Sequence, residues 1–350
     1  MGGRIAEYGI AVGEMRKGRL NKLGDVSGVS VGHCTLGEGN LRTGVTVVLP
    51  SEANPFLRKL PAAAFVLNGF GKSLGLVQVE ELGCIETPLF LTNTLNVGLV
   101  HDAAVGYMIE RCDRDGADLR SVNPVVLECN DSRLSDIRAR AVRAEHVAAA
   151  IAAASPDFAE GDVGAGKGMV CHGLKGGIGS ASRVFELDGR EHALGVLALT
   201  NHGRLADLAI GGRPVGKDIA RRLAGRADAA APDKGSVIMV LATDAPLDSR
   251  QLGRVIKRCS VGLARLGSYI GHGSGEVFLG FSTAHSVSGE GDVLPTAILN
   301  ESRIDLLFRA AAECAEEAVL NSMSCARAVI GFRGDRVESL ADHMDLVAGH

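Results

Sequence analysis

The junction Lys234-Gly235-Ser236-Val237-Ile238 sets a hydroxyl at the head of an apolar run, directly behind a glycine. A cut before Ser236 would give one residue both a hydroxyl nucleophile and a free α-amine, and that amine can serve as base for its own side chain. An α-amine titrates near pKa ~7.7–8.0, so roughly a tenth of it is unprotonated at pH 7, whereas a lysine at ~10.4 is hundreds-fold less available. Gly-Ser ahead of a strand is also common where no chemistry occurs. The other candidates fail at a residue with a job to do. Gly161-Asp-Val-Gly-Ala-Gly166-Lys167-Gly168 approaches a phosphate-binding loop, but Gly168 stands where a magnesium-holding Ser or Thr is needed. Gly71-Lys-Ser73 has Val66 in place of the required earlier glycine. His101-Asp102, Asn201-His202 and Gly271-His272-Gly273 are isolated neighbours. The eight cysteines include no CxxC pair, which leaves a zinc site unsupported and buried, reduced thiols as the expectation.

A nucleophile of this kind needs a rigid frame, and the chain has the means to build one. With 350 residues, 46% hydrophobic and 22% charged, it can bury a large core. Its net charge of −4 and 4% aromatics, with no Trp, argue against a nucleic-acid partner. Neither a signal-peptide core near the start nor an apolar run of spanning length is found, so a cytoplasmic protein with no membrane partner is expected. The runs 44–49, 63–67, 194–199, 237–241 and 277–281 are nearly continuous in apolar residues, as in strands covered on both faces. Leu252, Val255, Ile256, Cys259 and Leu263 form one helical stripe, and Ala-rich stretches near 136–154 and 304–320 also read as helices. The expectation is a layered α/β protein, a single domain over 1–350, interrupted by a linker-like stretch at 222–235.

Gly235-Ser-Val-Ile-Met-Val-Leu-Ala-Thr-Asp-Ala-Pro246 resembles the nucleophile segment of the L-aminopeptidase/D-esterase-amidase family, which includes the β-peptidyl aminopeptidases. Further blocks follow in the family's order: 25–33, Arg42-Thr-Gly-Val-Thr46, Val66-Leu-Asn-Gly69, Glu86-Thr-Pro88 through Thr94, Val163-Gly-Ala-Gly166, Lys175-Gly-Gly-Ile-Gly179, Leu199-Thr-Asn201, His272-Gly-Ser-Gly-Glu276 and Phe281-Ser-Thr-Ala284. The resemblance implies a four-layer α/β/β/α sandwich of the N-terminal-nucleophile-like type. It implies a precursor that cuts itself between Gly235 and Ser236 into chains 1–235 and 236–350, assembled as a tetramer of such pairs. No metal or organic cofactor is implied.

Carried over position by position, Ser236 falls on the nucleophile and Asn201 on the oxyanion-hole side chain. Ser274 and Glu276 fall on the pair that orients the nucleophile's hydroxyl and amine. Glu128 is a candidate partner for the ammonium group of a small peptide, amide or ester, or else a member of a structural ion pair. Asn130 departs from the family, many of whose members have Tyr there; an amide lacks the reach and the ring face of a phenol. Two rivals remain at this level: acyl transfer of the ornithine-acetyltransferase type, whose nucleophile is usually Thr, and an uncleaved, inactive ligand-binding relative.

Overall fold

The apolar runs become strands buried on both faces. In the computed structural model, which describes residues 2–223, 235–289 and 291–348, two sheets lie face to face. The first has four strands in the order β1 (Ser30–Leu36), β2 (Thr43–Leu49), β5 (Leu89–Asn93) and β6 (Val125–Cys129). The second has six, in the order β4 (Cys84–Ile85), β3 (Leu60–Gly69), β12 (Gly275–Ser282), β11 (Ser236–Thr243), β10 (Arg190–Asn201) and β9 (Gly177–Leu187). A short hairpin, β7 (Val170–Cys171) with β8 (Leu174–Lys175), stands apart from both.

Alternate residues along each strand point to opposite faces, and the core divides accordingly. Leu91 and Leu127 of the first sheet meet Leu199, Ile238 and Leu279 of the second between the two layers. On the far side of the first sheet, Val45, Val47 and Phe90 pack with Val100 and Ala104 of helix Val97–Arg114 and Val147 of helix Ala144–Ala152. On the far side of the second, Met239, Leu241 and Phe278 pack with Leu252, Leu263, Leu307 and Met323 from helices Ser249–Ile256, Cys259–Arg265 and Ile304–Ser324. The result is the expected α/β/β/α order. Fully burying one such Leu, Ile or Phe side chain contributes ~1.5–3 kcal/mol, which explains why central strands are apolar throughout rather than alternating.

Two helix expectations need correction. The stripe from Leu252 to Leu263 is buried along its length, but it is carried by two helices that break at Lys257 and Arg258. The helix expected from about 136 starts only at Ala144, because Asp136 caps a short 3-10 turn that Arg140 ends with φ at 44°. The linker-like segment lies largely outside the described residues. The phosphate-loop look-alike is a 3-10 turn, Gly164–Gly168, wedged against β1 and β2: Gly164 N–H donates to Thr35 Oγ1, and Lys167 is paired with Asp162 at 2.7 Å. Its backbone is spent on internal packing. Among the described residues no helix is long and apolar enough to cross a membrane.

Candidate active site

Strand register assembles the site. β10 and β11 run antiparallel with Asn201 opposite Ser236, and β11 and β12 run parallel with Ser236 beside Gly275. Gly275 in turn faces Gly69 of β3. One row across four strands therefore carries the Asn and the Ser that the sequence leaves 35 positions apart. The parallel pair needs a crossover, and the two helices between 249 and 265 supply it. Gly235 is fixed sterically: a Cβ there would lie 1.9 Å from the main-chain oxygen of Asn201, so only glycine lets β10 close on the residue before Ser236.

Ser236 is 4% exposed, and its Oγ has no nitrogen or oxygen partner within hydrogen-bond geometry among the described residues; its one neighbour of that kind is the Cys129 thiol. Beside it lies the Cys129 thiol, whose pKa burial pushes well up, so it stays a neutral neighbour. The hydroxyl opens onto a cavity of about 930 Å³ whose lining includes Asn201, Glu128, Asn130, Tyr269 and His272.

Asn201 is held at both ends of its amide. Its Oδ1 accepts from Val170 N–H at 2.9 Å, and its Nδ2 donates to the main-chain oxygen of Asn130 at 3.0 Å. An amide nitrogen carries two hydrogens, so one N–H remains for an oxygen in the cavity. The hairpin that presents Val170 is secured by Lys175, whose buried ammonium donates to the carbonyls of Gly166, Met169 and Gly176. Desolvation lowers the Lys175 pKa to about 7.

Glu128, in β6, is 4% exposed. Its Oε1 accepts from Lys72 N–H at 2.8 Å and its Oε2 from the Thr94 hydroxyl. Among the described residues no Lys, Arg or His forms an ion pair with it, so the structural ion-pair reading has no partner in the fold. A buried carboxylate stabilised by dipoles alone and lining a cavity is suited to receiving a cation.

Ser274 and Glu276 flank Gly275, and the Ser274 hydroxyl donates to the Glu276 carboxylate. In the uncut chain this contact joins the two to each other, not to Ser236 Oγ; the Ser236 nitrogen is an amide here and offers no amine to orient. The approach to β12 is pinned by Asn68, whose Nδ2 donates to the carbonyls of Gly271, at 2.8 Å, and of Ser274. Asn130 is exposed at the cavity edge, and its side-chain oxygen accepts from Ser132 N–H. Its side chain is thus turned into its own loop, while its main chain steadies Asn201.

Sequence reasoning assigned no role to Lys72, Thr94, Val170 and Asn68, which act through a main-chain N–H, a hydroxyl or an amide that any fold could use. It also missed a cluster beside the cavity, Cys171, His172 and His202, whose possible ligand atoms all lie within 4.8 Å of one another. His101, by contrast, sits on the surface-facing helix Val97–Arg114, away from these groups.

Comparison with known proteins shows the family and the fold. Residues 21–337 match the profile of peptidase family S58. The chain is 38% identical to the β-peptidyl aminopeptidase BapA of Sphingosinicella microcystinivorans, over 95% of this chain and 88% of that one. Its fold superposes with a TM-score of 0.92 on the PH0078 protein from Pyrococcus horikoshii OT3, at 46% identity and covering 99% and 98% of the two chains. It superposes with a TM-score of 0.90 on the L-aminopeptidase D-Ala-esterase/amidase from Ochrobactrum anthropi, described as a prototype of the serine aminopeptidases and a variant of the Ntn-hydrolase fold, at 32% identity over 99% and 97%. The chain belongs to peptidase family S58 and is a hydrolase of the serine aminopeptidase type.

Proposed function

We propose that this protein is a self-processing aminopeptidase and amidase that uses Ser236 as its nucleophile on short peptides, amides or esters bearing a free amino terminus. The observation that carries the proposal is the buried Ser236 hydroxyl, with no basic partner among the described residues, at the start of β11 and in register with Asn201. A hydroxyl left without a base in the uncut chain is what a mechanism predicts when the base is the amine released by cleavage. Cutting between Gly235 and Ser236 divides the single domain into chains 1–235 and 236–350 and converts a non-basic amide into that amine.

In the cleaved enzyme, Ser236 Oγ attacks the substrate carbonyl while the α-amine takes its proton. The free Nδ2 hydrogen of Asn201 receives the developing oxyanion, an interaction worth about 3–4 kcal/mol of barrier. The amine then returns the proton to the leaving group, and water releases the acyl group from Ser236. The Ser274–Glu276 pair, one strand over, orients the amine once it is free to move. Glu128 binds the substrate ammonium, which accounts for the requirement for a free amino terminus. Asn130, with its side chain folded into the 130–132 turn, leaves the space of a larger ring open and favours bulkier acyl groups. None of these steps calls for a cofactor.

The eight cysteines are unpaired, which supports a reducing, cytoplasmic setting. Assembly as a tetramer of processed pairs is supported by the exposed Val77 and Leu82 on helix Leu76–Leu82. The direct test is replacement of Ser236 by Ala, which should leave one intact chain without hydrolytic activity; normal turnover in that variant would overturn the mechanism.

A further inference from the structure

We propose that Cys171, His172 and His202 form a binding site for a thiophilic divalent cation of the Zn²⁺ class, with its fourth coordination position directed to the active-site cavity. All three side chains are buried, at 0%, 0% and 1% exposure. Cys171 Sγ and His202 Nδ1 are 3.9 Å apart, and the two imidazoles meet edge to face with centroids 5.4 Å apart. With Zn–S of ~2.3 Å and Zn–N of ~2.0 Å, two ligand atoms of a tetrahedral site stand about 3.6 Å apart. The cluster needs only a few tenths of an ångström of closure on that edge.

Two further features favour a ligating role. His172 Nδ1 faces the main-chain oxygen of Arg204 at 3.0 Å. A carbonyl only accepts, so Nδ1 carries the proton and Nε2 presents its lone pair, the tautomer that metal-ligating histidines adopt when a carbonyl anchors the other nitrogen. His172 also holds a left-handed backbone, φ 47°, at the tip of the β7–β8 hairpin, and its N–H is bonded to the carbonyl of His202 at 2.7 Å. Backbone strain of this kind concentrates at functional sites. Thiolate with imidazole suits Zn²⁺ over Mg²⁺ or Ca²⁺. Among the described residues three protein ligands converge, and His202 also lines the cavity, so the remaining position is open to water or a ligand.

The site is tied to the candidate oxyanion donor. Val170, next to Cys171, and Asn201, next to His202, are joined by the Val170 N–H to Asn201 Oδ1 bond. An ion held by Cys171 and His202 would therefore grip both ends of the contact that aims the Asn201 amide.

The test is a Co²⁺ titration of the reduced, chelator-stripped full-length protein, followed by absorbance, with Zn²⁺ as competitor. Binding converts the Cys171 thiol to a thiolate and releases its proton to solvent. One equivalent of Co²⁺ should bind with a near-ultraviolet thiolate-to-cobalt band and visible bands of tetrahedral intensity, and Zn²⁺ should abolish both. Cys171→Ser should remove the thiolate band, and His172→Gln and His202→Gln should each weaken binding by more than about tenfold. Circular dichroism selects the variants that fold, and any one of the three suffices. Ser236→Ala should bind Co²⁺ as the wild type does, which separates this proposal from the proposed hydrolytic mechanism. Absence of a thiolate band in the wild type, or its persistence in Cys171→Ser, would overturn the assignment.

Discussion

Replacing Asn201 by Asp changes one atom in the side chain and probes the oxyanion assignment with little change in volume. The Asp carboxylate still accepts the Val170 N–H, now 2.9 Å from Oδ1. It loses both hydrogens of Nδ2: the one donated to the Asn130 carbonyl at 3.0 Å and the one aimed at the cavity. Removing one oxyanion donor costs ~2.7–4 kcal/mol of barrier, or 10²–10³ in kcat. A second carbonyl-facing oxygen in place of a donor also repels the Asn130 carbonyl, and an unsatisfied group there costs ~1–3 kcal/mol of stability. Asn201→Asp should therefore lower kcat by 10²–10³ with a much smaller change in KM. The assay is single-turnover acyl release on the fraction that has processed, with melting measured alongside. A kcat within about threefold of wild type in folded, processed Asn201→Asp would refute the reasoning.

Four further outcomes are expected. Glu128→Gln keeps the Lys72 and Thr94 contacts but removes the charge; it should raise KM at least tenfold for substrates with a free amine and leave weak hydrolysis of N-acylated substrates unchanged, as steady-state kinetics on matched pairs will report. Gly235→Ala places a Cβ 1.9 Å from the Asn201 carbonyl, so it should block processing, read as a single band on a denaturing gel. Arg183 is fully buried, with Glu313 at 2.8 Å and Glu317 at 2.9 Å; Arg183→Ala removes the cation of Glu313 and leaves Glu317 to Lys17, and should lower stability by ~3–5 kcal/mol in urea unfolding. His33 is kept neutral by burial, its pKa lowered to about 4, with Nε2 donating to the Ala159 carbonyl and Nδ1 accepting from Thr46. The unfolded chain binds a proton near pH 6.5 that the folded chain refuses until about 4, so this group's stability is complete above 6.5 and is lost as pH falls to 4. In a Ser236→Ala background, where the chain stays single, His33→Gln should remove that part of the acid slope; an unchanged slope would contradict the assignment.

Much of this was legible before the fold. Continuous apolar runs such as 237–241 marked strands covered on both faces because a central strand has no wet side, and the Gly-Ser pair at the head of one of them marked the candidate nucleophile. What could not be read was the register. Nothing local to Asn201 says that it ends a strand opposite Ser236, since pairing depends on the length of β10 and on the crossover between β11 and β12. The groups that hold Glu128 were hidden for a different reason: Lys72 contributes its main-chain N–H, which every residue but proline possesses. The Cys171, His172 and His202 cluster escaped because the adjacent pair Cys171-His172 lies 30 positions before His202 and meets it through a hairpin whose tip is strained. The break at Lys257 was invisible because the apolar stripe continues across it.

The two rivals make different predictions. An inactive ligand-binding relative needs no cleavage, and an acyltransferase needs cleavage but passes the acyl group to an amine rather than to water. Acyl-release assays with and without amine acceptors separate the second from hydrolysis once the chain is known to be cut.

The most direct measurement is the mass of the purified protein under denaturing conditions, with the N-terminal sequence of each component, for wild type and Ser236→Ala. The account predicts two wild-type chains that together make up the 36.3 kDa protein, the smaller beginning at Ser236, and one intact chain for the variant. A wild-type protein that remains a single chain after long incubation, yet hydrolyses peptides, would contradict it.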